Sequence, residues 1–511
     1  MNIRPFPGSS SPFNRSISSP LISVLREMPD PADGRQRPGP HLLVFPFPAQ
    51  GHLLPLLDLC VHLAARASFS ITVAITPKNL PILTNFLCNS PQAHRIEPLV
   101  VPLPPEFTLL TAGAEHFRDL PDGFYSSHLI LALSSLRRPI VLWARSHSHP
   151  PSALLSDFFL GWSADIAADL QIPHIAFFSS GPLLAALVHH LYVSLPTAPS
   201  SPTSPVFISP DLPCFPFPHL PSLFRRYVAG RPEWEFTRIS LLANAGCFAA
   251  VFNTFDALES RYLAHLRAAS YASGRIWAVG PIPPSVPAAI RGAAGDSEAD
   301  HLVPWLDSCP PRSVVYVCFG SQFTPQQAVA AAIAAALEAS GARFVWVVNR
   351  GVEAAAVVPE GFDGRVAGRG LVVRGWAPQT AALRHDSVAA FVTHCGWNSV
   401  LEGLAAGVVL LAWPMVADQF VNARLLVEEA GVAVMACAGG PEAVPEAVPE
   451  AAELGRVIAE SLEEGKWAEV RARAAEMRKL ASEAVGNGGS SFVDMQEMIK
   501  MITNLNSDNQ H

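Results

Sequence analysis

The chain alternates short apolar runs that favour β-strands with stretches that favour amphipathic helices. Leu42–Phe47 is the first such run, and after a short loop the apolar residues between 53 and 64 recur on one face of a helix. Ile71–Thr76 is the next predicted strand. A strand, a covering helix and a second strand in this order are typical of a parallel sheet, so we predict an α/β fold.

The alternation occurs twice, on either side of a stretch at 280–300 that is rich in proline and small residues. The first half is predicted to contain further strands at Ala153–Ser156, Ile175–Phe178 and Val251–Asn253, with a helix at Ala164–Leu170. The second half is predicted to contain strands at Val314–Phe319, Phe344–Val348, Leu371–Val373, Ala389–Thr393 and Val408–Trp413, with a helix at Pro325–Ala339. The Pro-rich stretch 196–221 is predicted to be surface loop. Two such halves place a cleft between them, at the carboxyl ends of the strands.

Composition excludes several classes of protein. Of the 511 residues, 50% are hydrophobic and 15% are charged, which is typical of a globular protein. The net charge is −8, so we expect neither nucleic-acid binding nor a polybasic membrane patch. No run of about 20 apolar residues lacks a charge or a breaker, so no transmembrane helix is predicted. The eight cysteines show no Cys-x-x-Cys spacing, and we expect reduced thiols in the cytoplasm.

Residues 1–40 differ from the rest of the chain. They are rich in Ser, Pro and Arg, and their first acidic residue is Glu27. We favour a disordered extension, or a spurious one that precedes a true start at Met28. A plastid transit peptide is the alternative, and the sequence leaves it open.

The segment from Trp376 to Gln419 gives the strongest indication of chemistry. Val388–Thr393 is predicted to be a buried strand, and Asn398 and Ser399 begin a helix just after the turn that follows it. Such a helix directs its free N–H groups and the positive end of its dipole at the carboxyl edge of the sheet. The sequence therefore predicts an anion site, suited to a phosphate, that needs no metal ion.

Further side chains could complete a nucleotide-sugar site around this helix. The candidates are His394, Asn398 and Ser399 as donors to a phosphate, Glu402 as an acceptor from ribose hydroxyls, Trp376 as a surface for a base, and Asp418 and Gln419 as contacts of a sugar. Taken alone, Trp376 could be a core aromatic residue and Asn398 a helix cap. Their joint spacing favours a binding site.

This segment resembles the signature of the plant secondary-product glycosyltransferases, a family that uses UDP-sugars. The resemblance implies the GT-B fold, in which two Rossmann-like domains with parallel sheets face a cleft. The family's signature runs over 44 residues from a Trp to a Gln, and here 419 − 376 + 1 = 44. The resemblance extends from about His41 to the C-terminus. One departure is Val409, where the family usually has proline, and this affects the rigidity of a strand and not a ligand.

Carried over position by position, the resemblance implies a UDP-sugar site. Its residues are Trp376 for stacking on uracil with Ala377 and Gln379 beside it, His394, Trp397, Asn398 and Ser399 for the diphosphate, Ser321 for a further phosphate contact, Glu402 for the ribose, and Asp418 and Gln419 for the sugar hydroxyls. Family members that prefer galactose or rhamnose often carry His at the last of these positions. Gln419 therefore implies UDP-glucose as the co-substrate, without a metal or another cofactor.

Transfer of a sugar to an alcohol needs a base, and a neutral imidazole suits this role near pH 7. His52 lies in the loop after the first predicted strand, and in the resembling family this is the catalytic histidine. Asp157 ends another predicted strand, and a carboxylate behind an imidazole orients it and stabilises the imidazolium. The resemblance implies that this pair catalyses an inverting transfer in one displacement.

The resemblance also implies how the chain is organised. The predicted segments are a disordered N-terminal extension (1–40), an acceptor-binding Rossmann-like domain (41–280), a linker (281–300), a UDP-sugar-binding Rossmann-like domain (301–485) and a C-terminal helix or tail (486–511) that packs back on the first domain. We expect the protein to act as a monomer.

The sequence says less about the acceptor than about the UDP-sugar. The run Phe45–His52, the stretch 76–81 and the Trp-Glu-Phe at Trp234 look closest to the subgroup that glucosylates flavonols. A flavonol or another flavonoid is therefore expected. Benzoates, other phenols and UDP-rhamnose are alternative substrates.

A UDP-sugar-binding protein without catalytic activity remains one alternative. The first strand is not followed by Gly-x-Gly-x-x-Gly, which argues against a nucleotide-dependent oxidoreductase. The chain also lacks Gly-x-Ser-x-Gly, which argues against a serine hydrolase.

Overall fold

The computed structural model of the protein describes residues 39–67, 69–105, 109–111, 113–120, 126–201, 203–287, 299–323, 325–348, 357–437 and 449–508. The extension predicted at 1–40 lies outside the described residues except for its last two positions, and so do residues 288–298 of the predicted linker. The described strands form two parallel sheets and one short antiparallel pair.

The first sheet has seven parallel strands in the order β3-β2-β1-β4-β5-β8-β9. Strands β6 and β7 form the antiparallel pair outside it. The strands up to β9 are β1 (His41–Phe45), β2 (Ser70–Ile75), β3 (Ile96–Val100), β4 (Ala153–Asp157), β5 (His174–Phe178), β6 (Pro205–Val206), β7 (Phe215–Pro216), β8 (Ala249–Phe252) and β9 (Ile276–Ala278).

The second sheet has six parallel strands in the order β12-β11-β10-β13-β14-β15. They are β10 (Val314–Cys318), β11 (Arg343–Val348), β12 (Gly370–Arg374), β13 (Val388–Thr393), β14 (Val409–Ala412) and β15 (Ala433–Met435). In each sheet the strand order reverses beside the first strand, between β1 and β4 and between β10 and β13. Such switch points open a crevice at the carboxyl ends of the strands, where ligands of α/β folds bind. The predicted α/β fold with two parallel sheets is confirmed.

Helices connect and cover the strands. In chain order they are α1 (Gln50–Arg66), α2 (Leu80–Cys88), α3 (Ser126–Ser134), α4 (Arg137–Ser146), α5 (Ala164–Leu170), α6 (Pro182–Ser194), α7 (Ser222–Arg225), α8 (Pro232–Ala243), α9 (Asp256–Ala268), α10 (Leu302–Asp307), α11 (Gln327–Ala339), α12 (Phe362–Arg365), α13 (Gln379–Leu383), α14 (Trp397–Ala406), α15 (Gln419–Arg424), α16 (Ala451–Glu460), α17 (Ala468–Val485) and α18 (Ser490–Asp508). A π-helical turn, Leu425–Glu429, follows α15. Within the described residues, no helix is long and apolar enough to cross a membrane.

Two local signals in the sequence account for the helices nearest the cleft. The apolar face predicted for α1 is buried, with Leu53, Leu57 and Cys60 at most 1% exposed. Helix α14 ends at Ala406. The next residue, Gly407, has a φ of +73° and donates its N–H to the carbonyls of Gly403 and Leu404. Glycine adopts this left-handed conformation at low cost and commonly ends a helix.

The Pro-rich stretch at 196–221 is mostly irregular and exposed or half-buried in its described residues, as predicted, but part of it is buried. It contains strands β6 and β7, and its side chains Leu212, Phe215 and Leu220 are at most 4% exposed. They belong to the hydrophobic cluster that also contains α6 and part of the second domain. Proline content alone therefore misjudged how much of this stretch is buried.

The last helix, α18, packs against the first sheet. Met498 and Ile502 are buried in the same cluster as β1 and α1. Two side chains fix the helix further, because the Asp494 carboxylate accepts the backbone N–H of Ala278 at 2.7 Å and the Ser491 hydroxyl donates to the Gly280 carbonyl at 2.6 Å. The chain thus crosses back to its first half after completing the second.

We expect Met498→Ala to destabilise the protein by about 2–5 kcal/mol, because it leaves a cavity beneath α18. Met498 is fully buried, whereas Met501, one turn away, is only partly buried. Urea unfolding followed by circular dichroism measures the effect, with Met501→Ala as the control. Equal losses in the two variants would show that the buried position of Met498 contributes no more to stability than the partly buried position of Met501 in the same cluster.

Candidate active site

A histidine and an aspartate meet at the carboxyl edge of the first sheet. His52 Nδ1 lies 2.9 Å from Oδ2 of Asp157, which is fully buried at the end of β4. The other Asp157 oxygen accepts the backbone N–H of Phe159 at 2.9 Å. Because an ionised carboxylate can only accept, this contact places the imidazole proton on Nδ1 and leaves Nε2 as the basic nitrogen.

Aromatic rings and one hydroxyl complete the surroundings of His52. Phe158 stacks on the imidazole with 5.5 Å between ring centroids, and the centroids of Phe159 and Phe47 lie 4.6 and 5.3 Å away. The Ser179 hydroxyl lies 3.2 Å from Nδ1. The His52 side chain is 20% exposed. The imidazole is therefore held in one orientation while it remains open to the cleft.

On the second sheet, the turn between β13 and α14 holds His394 between two glycines. A Cβ atom would come within 2.6 Å of the imidazole ring at Gly320 and within 2.4 Å at Gly396. Burial lowers the pKa of His394 to about 4, so its imidazole is neutral near pH 7. Within the described part of the chain, its Nδ1 has no hydrogen-bond partner. This residue can therefore exchange a hydrogen bond with a ligand but brings no positive charge.

Two side chains at the start of α14 reach across to the first domain. Asn398 Nδ2 donates to the Gly51 carbonyl at 2.8 Å, and Trp397 Nε1 donates to the Asn253 carbonyl at 2.7 Å. The resemblance implied both residues as contacts of a diphosphate, which stays a prediction; in the structure each joins the two halves of the chain. Gly51 directly precedes His52, and both lie in the first turn of α1, not in the loop predicted from the sequence. The N-terminus of α14 therefore faces the start of the helix that carries the imidazole.

Three polar side chains form a connected group beside Trp376. Gln379 Nε2 donates to Glu402 Oε2 at 2.9 Å and to the Ser399 hydroxyl at 3.1 Å. Trp376 follows β12 directly after Gly375 and is half-buried in the wall of the cleft. The turn after β12 and helix α14 thus bring an aromatic face and a fixed carboxylate to the same part of the site.

Asp418 and Gln419 lie after β14, at the start of α15. Gln419 Oε1 accepts the backbone N–H groups of Met415 and Val416, both at 2.9 Å, so the NH₂ side of this amide is the side that can meet a ligand. Asp418 Oδ2 accepts from Asn422 Nδ2 at 3.0 Å, and burial raises the pKa of the Asp418 carboxyl. Both side chains suit a ligand that carries hydroxyl groups.

These groups share one cavity of about 900 Å³. Its wall contains every candidate site residue named from the sequence except Asp157, which lies behind the imidazole: His52, Ser321, Trp376, Ala377, Gln379, His394, Trp397, Asn398, Ser399, Glu402, Asp418 and Gln419. Sequence reasoning missed Ser179, Asn253 and Asn422. Only Asn422 had a readable signal, since it lies four residues after Asp418 on one helix face.

Comparison with known proteins identifies the family. The family model for UDP-glucoronosyl and UDP-glucosyl transferase matches residues 288–448. A flavonol 3-O-glucosyltransferase of Arabidopsis thaliana is 43% identical over 474 residues, covering 91% of this chain and 96% of that protein. The chain belongs to the plant UDP-glycosyltransferase family. The protein is accordingly a UDP-dependent glycosyltransferase, and a UDP-sugar is its co-substrate.

Solved structures give the same fold. The crystal structure of Arabidopsis thaliana UGT89C1 complexed with UDP-L-rhamnose has a TM-score of 0.74 and 32% identity, and it covers 91% of this chain and 99% of that one. The structure of the same protein complexed with quercetin has a TM-score of 0.73 and 31% identity. It covers 91% of this chain and 100% of that one. The GT-B fold expected from the sequence is confirmed, and small molecules are the partners of this type of protein. Among the described residues of our chain, no group of three or more His, Cys, Asp or Glu side chains could hold a metal ion.

We expect Gly320→Ala to weaken UDP binding by about 5- to 150-fold, which corresponds to about 1–3 kcal/mol of overpacking. The new methyl group would meet the His394 ring at 2.6 Å. Gly341→Ala is a matched control, because Gly341 has a similar φ of +64° but open space around it. Isothermal titration calorimetry with UDP measures both variants. A similar loss in the two would assign the effect to backbone strain and not to His394.

Proposed function

We propose that the enzyme transfers glucose from UDP-glucose to a hydroxyl of a small phenolic acceptor, with inversion at the anomeric carbon. The observation that carries this proposal is the imidazole of His52, which is held by Asp157 at 2.9 Å and opens into the cavity that the start of α14 also lines. A base and an anion site on opposite walls suit a direct displacement. In the proposed organisation, residues 41–280 bind the acceptor and residues 301–485 bind the UDP-sugar.

The proposed reaction needs one proton transfer and one displacement. His52 Nε2 accepts the proton of the acceptor hydroxyl as its oxygen attacks the anomeric carbon. The bond from that carbon to the UDP oxygen breaks, and UDP leaves with the negative charge. Asp157 stabilises the imidazolium, while the N–H groups at the start of α14 stabilise the leaving diphosphate.

The remaining candidate residues have proposed roles on the donor. Trp376 offers its ring to uracil, and Glu402, which is oriented by Gln379, accepts from the ribose hydroxyls. Asp418 and Gln419 contact the hydroxyls of the sugar. Ser321, Ala377, His394, Trp397, Asn398 and Ser399 complete the surface around the base and the diphosphate.

Aromatic residues support a flat phenolic acceptor. Phe47, Phe117, Phe158 and Phe159 line the cavity on the side of His52. We propose a flavonol, since the similar flavonol 3-O-glucosyltransferase and the quercetin complex both concern this class. UDP-rhamnose is a second candidate donor because a similar protein was crystallised with UDP-L-rhamnose.

We further propose that the enzyme acts as a monomer in the cytoplasm. The cavity combines residues of both sheets of a single chain, so a second subunit is not needed to complete it. All eight cysteines are free thiols, which suits a reducing compartment. Size-exclusion chromatography and a fluorescent fusion in plant cells test the two statements.

We expect His52→Ala to lower glucosyl transfer at least about a hundredfold, because it removes the base. Its affinity for UDP should stay the same. His62→Ala is the control, since this histidine lies on the same helix but bonds to the Pro283 carbonyl. Mass spectrometry of products from a phenolic panel, with UDP titrations alongside, gives both readouts. Wild-type turnover by the His52 variant would refute the proposed mechanism.

The donor preference has its own test. We expect Gln419→His to lower kcat/KM for UDP-glucose about tenfold, which corresponds to about 1.4 kcal/mol. An imidazole cannot both accept from two backbone N–H groups and present an NH₂ group. UDP-glucose, UDP-galactose and UDP-rhamnose are compared for the wild type and the variant. Equal use of the three donors by the wild type would contradict the proposed preference.

A further inference from the structure

A segment of the first domain reaches the second domain beside the proposed sugar contacts. We call residues 214–222, which run from before β7 to the start of α7, the crossing segment. The His219 ring stacks on Phe420, with 4.4 Å between centroids and 15° between planes. The backbone N–H of Ser222 donates to the Ala417 carbonyl at 3.1 Å. These two contacts lie on either side of Asp418 and Gln419 in the sequence.

Arg424 adds a third contact at the other end of the crossing segment. Its guanidinium lies 4.9 Å from the centre of the Phe215 ring and also donates to the Cys214 carbonyl. The crossing segment therefore touches α15 at its start and at its end. Attachment at several points fixes both the distance and the orientation of this helix relative to the first domain.

The backbone at Ala417 shows why such support is needed. Ala417 has a φ of +57°, in the left-handed region that residues other than glycine rarely adopt. A residue in this conformation persists only where its surroundings hold it. The Ser222 N–H binds the carbonyl of this same residue, which directly precedes Asp418. Support of the strained turn from the first domain thus acts at the residue before the sugar contacts.

His219 acts in this contact as an aromatic surface. Burial lowers the pKa of its imidazole, and the nearby Arg225 and Arg424 lower it further, so the ring is neutral near pH 7. Phe420 is 6% exposed. The contact is therefore a half-buried imidazole stacked on a buried phenyl ring, and a second phenyl ring can replace the imidazole within it.

We propose that the crossing segment positions Asp418 and Gln419 for the donor sugar, and that His219 is a positioning residue for this pair. The inference rests on the proposed function, in which these two residues contact the sugar. The crossing segment ends where Pro221, Ser222 and Leu223 line the same cavity. One element of the acceptor-binding domain therefore holds the sugar contacts and borders the acceptor space.

The test separates binding of the sugar from binding of the nucleotide. We expect His219→Ala to raise Kd for UDP-glucose about tenfold and to lower kcat/KM for transfer by about tenfold to a hundredfold, since misplacement by an ångström costs about this much. Kd for UDP should stay within about twofold, because the nucleotide is held by the turn after β13 and by residues near Trp376. His219→Phe should restore both values. Phe207→Ala, which removes an aromatic ring that is 66% exposed, is the control.

Each outcome supports the inference or overturns it. Loss of UDP and UDP-glucose affinity in equal measure, with a lowered unfolding midpoint, would show a structural role and overturn it. An unchanged Kd for UDP-glucose would also overturn it. Phe420→Ala should reproduce the effect of His219→Ala, and the double variant should be no worse than either single one.

Asp418→Ala tells a failure of this inference from a failure of the proposed function. If this variant weakens UDP-glucose binding and His219→Ala does not, the positioning role is wrong and the sugar contact stands. If neither variant affects UDP-glucose, the proposed sugar contact itself is wrong. Both readouts use calorimetry without an acceptor, so they do not depend on which phenol is the substrate.

Discussion

The hydrogen bond from the Asn398 amide to the Gly51 carbonyl is the contact on which the site depends. At 2.8 Å it joins the start of α14 to the first turn of α1, which carries His52, although Asn398 and Gly51 are 347 positions apart. The indole of Trp397 adds a second bond, to the Asn253 carbonyl. These bonds fix the position of the proposed base, His52, relative to the proposed anion site at the start of α14. In a two-domain protein, such contacts decide whether the cleft walls face each other in a reactive arrangement.

An inverting displacement requires the attacking oxygen and the leaving diphosphate on opposite faces of the anomeric carbon. The cleft wall that carries His52 and the wall formed by the start of α14 meet this requirement only if the sugar is held between them. Asp418 and Gln419 extend from the second domain, and the crossing segment supports the turn before them from the first. The proposed sugar contacts are thus supported from both domains, as the bonds of Asn398 and Trp397 support the proposed anion site.

The sequence predicted the alternating strands and helices of the fold and the spacing of the candidate site residues between Trp376 and Gln419. Strands such as Val388–Thr393 and the buried face of α1 follow from a hydrophobic period, so their positions could be read directly. The bond between Asn398 and Gly51 could not be read, because it depends on how two domains meet. The buried side chains within the Pro-rich stretch 196–221 were missed for a related reason. The residues of this stretch have no period, and Leu220 is buried through contacts with distant parts of the chain.

At the proposed diphosphate site, the negative charge of the ligand would be stabilised by the backbone N–H dipoles of α14 more than by His394. Burial lowers the pKa of this imidazole to about 4, so the ring is neutral near pH 7. A protonated imidazole would attract the diphosphate in the ground state as well as the departing UDP. Helix N–H groups are already oriented at the start of α14, so they stabilise developing charge without reorganisation. In the proposed reaction, the imidazole that takes up the acceptor proton is that of His52.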